Sequence, residues 1–373
     1  MSRLSSHSTH YDALVIGGGI AGLFTALELT RCGMQVAVLE QNQLGSGASG
    51  AGGGILSPLY PWRETEQLQA LINYSRDHYP ELVREIEEKS GRDIEYVQSG
   101  LLILDVADSE KESIHKWQAN YHQDCEIIHS KFIPEWFPPV QHGKQSHIWL
   151  PVVAQVKPPR LIDALREYLN LLRVSIVEDL AAEEIDLTSR SIGVQTADGI
   201  INANNVVLTG GAWTSRLLPG LQVRPVRGQM LCVDGNQTGL QQIILRDGTY
   251  LIPRKDGRIL IGSTLEETGF DNSVTDSARK ALLDKGRSIF PAVADMPLVA
   301  HWAGLRPATQ NGIPVISAVP DIAGLYVNTA HFRNGILFAA GSAKLIADLV
   351  QGHEPDIDTA PFAMNSLQLA RSV

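Results

Sequence analysis

The chain has 373 residues, a formal net charge of −10 and 44% hydrophobic residues. This length predicts two domains, or one domain with an elaborated second lobe. Because the chain is acidic and has no run of five or six Lys or Arg residues, the sequence does not predict nucleic-acid binding.

The cysteines and the N-terminal residues bear on the cellular compartment. Cys32, Cys125 and Cys232 lie far apart without a CxxC pair, so we expect small core residues and neither disulfides nor a zinc site. The first eleven residues lack the apolar core of a signal peptide, and glycines interrupt the apolar run at 13–29. The predicted location is the cytoplasm, with no integral membrane segment.

A strand, a tight turn and a helix are predicted at the start of the chain. Ala13 to Ile16 is a short β-branched apolar run, and Gly17, Gly19 and Gly22 follow it in G-x-G-x-x-G spacing. A helical apolar pattern then covers residues 20–31. In such a turn the glycines allow the bend, the approach of a pyrophosphate and close helix packing, while the helix N-terminus offers free N–H groups.

A second strand completes a βαβ unit. Gly33 suits the position just after a helix end, and residues 35–39 form a strand that ends at Glu40. An acidic residue at this place accepts hydrogen bonds from a ribose 2′-OH and disfavours a 2′-phosphate. The unit therefore predicts FAD or NAD as the dinucleotide, and not NADP.

The sequence after Glu40 does not continue as further βαβ units. Residues 45–58 read GSGASGAGGGILSP, and an amphipathic helix is predicted over 64–89, with a break or kink at Pro80 and Gly91 beyond its end. Taken alone, the glycine-rich stretch is either a flexible linker or main chain that lies flat against a ligand.

The remaining elements alternate between helical and strand patterns. A strand is predicted at 101–106, a Pro-rich turn at 134–139, and a helix at 160–172 that follows two prolines. The further predicted strands lie at 174–177, 192–196, 200–208, 223–233, 243–245, 249–253, 259–263 and 325–328. The strands of residues 223–263, with turns between them, favour an antiparallel meander, and a last helix is predicted at 340–350.

Three sequence blocks support a family resemblance. With the βαβ unit and Glu40, the blocks GGGILSP, WAGLRPAT and AHFRNGILFAAG resemble the D-amino-acid oxidase family of flavoenzymes, most closely its thiamine-pathway glycine oxidases, over residues 11–349. The resemblance implies a two-lobed α/β (α+β) fold in which a Rossmann-like FAD-binding domain is interleaved with an antiparallel-sheet substrate domain. The implied FAD-binding domain comprises 11–90, 151–215 and 305–352, the substrate domain 91–150 and 216–304, and the tails 1–10 and 353–373.

The resemblance also implies the residues that bind FAD. They are Gly17, Gly19, Ile20, Ala21, Gly22, Glu40, Gln41, Ala48, Ser49, Gly53, Gly54, Ile55, Ala182, Gly210, His331, Phe332, Arg333, Asn334, Gly335, Ile336 and Leu337.

Two positions depart from the family. Ala182 stands where relatives more often have valine, which a backbone contact tolerates, and Ala330 stands where many have glycine, which matters little if the backbone there is regular. No cysteine follows Cys232, so FAD is expected to be noncovalent.

Three side chains are implied on the substrate side. Arg306 and Arg333 match substrate-side arginines, and Tyr250 matches a tyrosine whose hydroxyl helps to bind the substrate carboxylate. A guanidinium binds a carboxylate bidentately, which lysine cannot do. Without the resemblance, an arginine after a strand more often forms a surface ion pair, and a strand tyrosine is more often packed. Hydride transfer needs no acid or base residue, and no metal-ligand cluster is predicted.

The implied function is oxidation of glycine, and of small amines such as sarcosine or D-alanine. FAD and O2 are the expected acceptors, and the products are an imine or glyoxylate, ammonia and hydrogen peroxide. Two alternatives stay open: a D-amino-acid dehydrogenase that reduces a quinone or carrier, and a noncatalytic FAD-binding subunit. A homo-oligomer is possible.

Overall fold

The computed structural model describes residues 10–129, 137, 139–143, 145–187, 191–235 and 238–364. The predicted turn at 134–139 falls largely outside these ranges, as do residues 1–9 and 365–373 of the predicted tails.

The described residues form strands and helices that alternate along most of the chain. The strands are β1 His10–Ile16, β2 Val36–Leu39, β3 Leu101–Val106, β4 Glu126–Ile128, β5 Ser146–Leu150, β6 Ser175–Val177, β7 Ala182–Asp186, β8 Ile192–Thr196, β9 Gly199–Leu208, β10 Arg224–Asp234, β11 Ile243–Arg246, β12 Thr249–Pro253, β13 Arg258–Gly262, β14 Leu298–Ala308, β15 Val315–Ala318 and β16 Leu325–Thr329. The helices are α1 Ile20–Arg31, α2 Ala48–Ala51, α3 Glu66–Ser90, α4 Lys111–Tyr121, α5 Pro158–Leu171, α6 Thr214–Leu217, α7 Asp276–Ile289 and α8 Gly335–Gln351.

The first sheet is built around the βαβ unit. Its strand order is β15-β16-β9-β1-β2-β6, and the β7–β8 hairpin pairs with β9 through β8. Strand β1 runs parallel to β2, as a connection through α1 allows, and it also pairs in parallel with β9. Helices α1, α3, α5 and α8 share one apolar core, in which Leu23, Leu71, Leu165 and Leu345 are fully buried. The predicted Rossmann-like half is confirmed.

The second sheet has the order β14-β10-β13-β12-β11-β3-β5-β4. Its pairings are antiparallel except that of β11 with β3. The predicted meander is present as β11, β12 and β13, but β10 joins β13 and not β11. The two-sheet α/β architecture is thus the predicted one. The residue boundaries of the two domains stay a prediction, and β14 crosses the expected boundary between residues 304 and 305.

Three expectations about local structure need correction. The alternative of a break at Pro80 was wrong, because helix α3 continues across it and its buried face, which includes Tyr79, Leu82 and Val83, holds the helix together where one backbone hydrogen bond is missing. The alternative of a kink there stays a prediction. Helix α8 begins at Gly335, five residues before the predicted start. Cys32 is exposed near the end of α1 and is not a core residue, whereas Cys125 and Cys232 are buried.

Candidate active site

A cavity of about 490 Å³ is lined by residues of both sheets, a volume within the usual range of small-molecule sites. All but two of the predicted site residues line it: Gly17, Gly19, Ile20, Ala21, Glu40, Gln41, Ala48, Ser49, Gly53, Gly54, Ile55, Ala182, Gly210, Tyr250, Arg306, His331, Phe332, Arg333, Asn334, Gly335 and Ile336. Gly22 and Leu337 are not among the lining residues. Gly22 faces the turn, where a Cβ atom would lie 1.9 Å from the Gly17 carbonyl oxygen, and Leu337 is buried in the core.

One end of the cavity is formed by the glycine turn and the first turn of α1. Gly17 has a φ of +117°, and a Cβ there would lie 2.7 Å from the carbonyl carbon of Thr209. The Thr209 hydroxyl donates to carbonyl oxygens of the same turn, at 3.0 Å to Ile16 and 2.8 Å to Gly17. Helix α1 has no side-chain cap from Gly19 and no acidic residue in its first turn. These features suit a pyrophosphate, because the backbone approaches closely and the helix dipole is not neutralised.

Glu40 lies at the same end of the cavity, directly after β2. Its Oε2 accepts from the Gly18 N–H at 2.7 Å, and its Oε1 accepts from the Asn42 N–H at 2.9 Å. Burial raises the pKa of this carboxyl, and the two backbone donors oppose that rise. Each oxygen keeps acceptor capacity for a ribose hydroxyl. The residues at this end therefore fit an adenine dinucleotide.

The glycine-rich stretch is packed and does not form a linker. Ser49 in helix α2 accepts a hydrogen bond from the Ile20 N–H at 2.9 Å, which joins the stretch to the start of α1. Gly54 has a φ of +76°, and a Cβ there would lie 2.1 Å from the Val156 carbonyl oxygen. Leu56 donates to the Ala154 carbonyl oxygen at 2.9 Å. At Gly50 and Gly54 neighbouring main chain leaves no room for a side chain, since a Cβ would lie 2.6 Å from the Gly45 carbonyl oxygen and 2.1 Å from the Val156 carbonyl oxygen, respectively.

Arg306 lines the cavity from the second sheet, on β14. Its Nη1 donates to the Thr264 carbonyl oxygen at 3.2 Å, and its Nη2 donates to Ser263 Oγ at 2.7 Å. The guanidinium lies against Gly228 on the paired strand β10, where a Cβ would be 2.1 Å from Nη1. Burial lowers the pKa of Arg306, an effect that nearby Tyr250 opposes and Arg333 reinforces. No carboxylate of the described residues forms an ion pair with it, so its charge is available to an anionic ligand.

Tyr250 faces the same part of the cavity from β12. The residue is buried, and its hydroxyl lies 3.7 Å from Met230 Sδ. A Cβ at Gly262 would lie 2.6 Å from the Tyr250 ring, so this glycine makes room for the tyrosine. The structure thus brings Arg306 and Tyr250 together.

Arg333 lines the cavity differently. It is exposed in the turn before α8, and its guanidinium carbon lies 5.5 Å from the centre of the Phe332 ring. Burial raises the pKa of Glu64, and the charge of Arg333 partly offsets that rise. Arg333 is therefore at the rim of the cavity, with a more solvated charge than that of Arg306.

The turn before Arg333 has an irregular backbone. Ala330 is fully buried with a φ of +62°, and Phe332 has a φ of +48°. A regular backbone at Ala330 was the condition for its methyl group to matter little, and that condition is not met, because the left-handed conformation favours glycine over a residue with a Cβ. Burial lowers the pKa of His331 to about 4, so its imidazole is neutral at neutral pH.

Sequence reasoning missed several residues around Arg306. Gly228, Met230, Ser263 and Trp213 line the cavity but were not singled out. A glycine inside a strand often marks a close approach, so Gly228 in VRGQM carried a signal that could have been used. Ser263 carried none, because its role depends on the pairing of distant strands.

The described residues contain no group of three His, Cys, Asp or Glu side chains that could hold a metal ion. Within the same ranges, none of the helices combines the length and apolar character that crossing a bilayer requires.

Comparison with known proteins agrees with this geometry. Residues 12–349 match the family model DAO, described as FAD dependent oxidoreductase. The chain is 40% identical over 356 residues to the glycine oxidase of Pseudomonas aeruginosa, covering 94% of this chain and 97% of that protein. It is 31% identical over 350 residues to the bifunctional protein ThiO/ThiG of Trichormus variabilis, covering 92% of this chain and 53% of that protein.

A solved structure shows the same fold. The crystal structure of glycine oxidase from Geobacillus kaustophilus superposes with a TM-score of 0.91 at 30% identity, covering 96% of this chain and 99% of that one. The chain belongs to the DAO family of FAD-dependent oxidoreductases, and FAD is its cofactor.

Proposed function

We propose that this protein oxidises glycine with O2 as the final acceptor, and that the cavity described above holds FAD and the substrate side by side. The observation that carries the proposal is the charge of Arg306, which forms no ion pair with a carboxylate of the described residues and lies beside Tyr250 in the wall of the same cavity that Glu40 lines. That pairing suits the carboxylate of a small amino acid, and the relatives named glycine oxidase support glycine as that amino acid.

The protein's own residues bind and orient the substrate in this proposal. Arg306, held by Ser263 and Thr264, takes the carboxylate through a bidentate hydrogen bond, and Tyr250 donates its hydroxyl to the same group. Arg333 adds a second positive charge at the rim. When bound, FAD would supply the two-electron acceptor for the substrate Cα–H and O2 would be the final oxidant, so that glycine, O2 and water would give glyoxylate, ammonia and hydrogen peroxide by way of an imine.

The imine is also the proposed link to thiamine thiazole synthesis. The match to one part of a bifunctional ThiO/ThiG protein supports that use of the product. A cytoplasmic location and a homo-oligomeric state stay predictions.

The decisive experiment is anaerobic titration of the purified yellow protein with glycine, sarcosine, D-alanine and D-proline, followed by air and a peroxide assay. Flavin bleaching by glycine, with one peroxide per substrate on reoxidation, is the expected result. Bleaching that air does not reverse, but that a quinone does, would instead support a dehydrogenase. A flavin that none of the four amines reduces would overturn the amino-acid oxidase assignment.

A further inference from the structure

Arg254 is a partly buried arginine behind the wall of the cavity. It follows β12, at the start of a turn in which its own N–H donates to the Arg258 carbonyl oxygen at 2.9 Å. No ion pair joins its guanidinium to a carboxylate of the described residues. Burial lowers its pKa to about 10, an effect that the charges of Glu95 and Asp256 oppose, so it stays cationic at neutral pH.

Its hydrogen bonds converge on the glycine-rich stretch and on the chain that crosses it. Nη2 donates to the Gly53 carbonyl oxygen at 2.7 Å, and Nη1 donates to the Val156 carbonyl oxygen at 2.9 Å and to Gln155 Oε1 at 2.8 Å. Arg254 itself is not among the lining residues of the cavity, whereas Gly53 and Gly54 are. The guanidinium therefore binds the residues that form the cavity wall without lining the cavity itself.

Because the peptide unit is planar, fixing the Gly53 carbonyl also fixes the direction of the next N–H group. In a trans peptide unit the C=O and the following N–H point in opposite directions. Because the Gly53 carbonyl points to Arg254, the Gly54 N–H points away from Arg254. By the same geometry, the Gly54 carbonyl accepts from the Val156 N–H at 2.9 Å, so the Ile55 N–H points away from Val156. Neither the Gly54 nor the Ile55 N–H donates to another residue in the described ranges.

These two donors lie near the substrate end of the cavity. A Cβ at Gly53 would lie 3.5 Å from the Tyr250 ring and 3.6 Å from Met230 Cε. The glycine turn and Glu40 suit the pyrophosphate and the adenosine ribose of FAD. The redox-active ring of FAD therefore belongs beside Gly53 to Ile55.

We propose that Arg254 is a positioning residue for the flavin. It fixes the Gly53 carbonyl so that the N–H groups of Gly54 and Ile55 face the flavin ring as donors, and its positive charge polarises the Gly53–Gly54 peptide and strengthens the first donor. The inference rests on the proposed placement of FAD in this cavity, but not on glycine as the substrate.

The test compares Arg254→Lys and Arg254→Met with Lys255→Met in the full-length, FAD-loaded protein. Lys255 is the exposed neighbour and pairs with Asp93, so its loss removes one positive charge from the same turn without touching Gly53. The measurements are the dissociation constant for FAD, the reduction potential of the bound flavin by chemical reduction against a reference dye, and kcat and KM for the amine.

Both Arg254 variants should weaken FAD binding by about tenfold or more, since a charged hydrogen bond to the wall is lost. The flavin potential should become more negative, because fewer donors stabilise the electron-rich reduced ring. We expect kcat to fall with KM changed less than about threefold, since Arg306 and Tyr250 are intact. The Lys255 variant should match the wild type. Arg254→Lys keeps the positive charge but lacks the planar guanidinium that donates several hydrogen bonds at once. It replaces Arg254→Met as the test variant if the methionine variant does not fold.

Unchanged FAD affinity and flavin potential in Arg254→Lys, with or without a loss of thermal stability, would overturn the inference. If the wild-type flavin is not reduced by glycine but the potential still shifts in the variants, the proposed glycine oxidation fails and the role of Arg254 stands.

Discussion

Among single residues, Arg306 gives the substrate proposal its sharpest test. Its guanidinium is held by Ser263 and Thr264 and has no carboxylate partner in the described residues. Arg306→Ala should raise KM for the amino acid by on the order of 100-fold, because truncating one side of a desolvated charged pair costs about 2 to 5 kcal/mol. Steady-state kinetics with glycine, at saturating FAD, measures the change.

Arg306→Lys separates charge from geometry, and an exposed arginine supplies the control. Lysine keeps the charge but cannot bind a carboxylate bidentately, so KM should remain at least about tenfold above the wild type. Arg224 on β10 pairs with Glu267 at the surface, and Arg224→Ala should leave KM unchanged. A wild-type KM in Arg306→Ala would remove Arg306 from the substrate site.

Ala330 shows two opposing effects of similar size. Its left-handed conformation, with a φ of +62°, costs about 1 to 2 kcal/mol for a residue with a Cβ. Changing it to glycine removes that cost but also loses a buried methyl worth about 0.8 kcal/mol and makes the unfolded chain more flexible. We therefore expect Ala330→Gly to change the free energy of unfolding by less than about 1 kcal/mol in urea denaturation.

Ala330→Val is the informative counterpart at the same position. A β-branched residue is poorly tolerated at positive φ, so this variant should lose more than about 2 kcal/mol. A valine variant as stable as the wild type would show that the turn before Arg333 can adopt a regular backbone.

Within the glycine-rich element, positive φ and lack of space act together. Gly54 has a φ of +76° and a Val156 carbonyl oxygen 2.1 Å from where a Cβ would lie. Gly54→Ala should lower stability by more than about 1 kcal/mol and weaken FAD binding, because the strand-like contact with residues 154–156 must shift. Thermal unfolding and FAD titration of the apoprotein measure the two effects.

Gly33 is the matched control for that change. It has a φ of +81°, but nothing lies within 4 Å of its Cβ position. Gly33→Ala should therefore cost about 1 kcal/mol of stability and leave the FAD dissociation constant unchanged. Equal losses in the two alanine variants would show that conformation alone, without contact to Val156, explains the need for glycine at residue 54.

Elements were predictable where local pattern alone determines them. The G-x-G-x-x-G turn, helix α1 and strand β2 follow from short-range signals, as does Gly91 with a φ of 68° at the end of α3. The passage of α3 through Pro80 was not predictable, because it depends on contacts with residues far away in the sequence. The early start of α8 was missed for a related reason: the turn before it has positive φ at Ala330 and Phe332 without glycine to indicate it.

For the whole molecule, the site depends on how the two sheets meet. Arg306 reaches its position because β14 pairs with β10, with Gly228 opposite Gly304 and Val226 opposite Arg306. A Cβ at Gly304 would lie 2.6 Å from Ala51 Cβ, so the same pair of strands also accepts the glycine-rich stretch. The resemblance supplied Arg306 and Tyr250, and a glycine inside a strand pattern pointed to Gly228, but the roles of Ser263 and Arg254 become visible only when the strand pairing is known.

His147 tests how the stability of the whole molecule depends on pH. It lies fully buried on β5, away from the cavity, and its Nδ1 accepts from the Asp105 N–H at 3.1 Å. Its Nε2 has no partner in the described residues, and the His142 ring centre lies 5.0 Å away. Burial, with a smaller contribution from His142 and against the effect of Asp105, lowers the pKa of His147 to about 4 from an ordinary value of 6.5.

The unfolded chain therefore binds a proton at this histidine at a higher pH than the folded protein does. The stability that neutral His147 confers is fully present above pH 6.5 and is lost as the pH falls toward 4, a decrease of roughly 2 to 3 kcal/mol. His147→Asn keeps an acceptor for Asp105 but does not titrate. The variant should be less stable near pH 7 through lost packing, yet lose less stability than the wild type between pH 7 and 4.5 in urea unfolding. Parallel pH profiles for the two proteins would mean that His147 protonates equally easily in the folded and unfolded states, and would rule out its buried neutral form as a source of acid sensitivity.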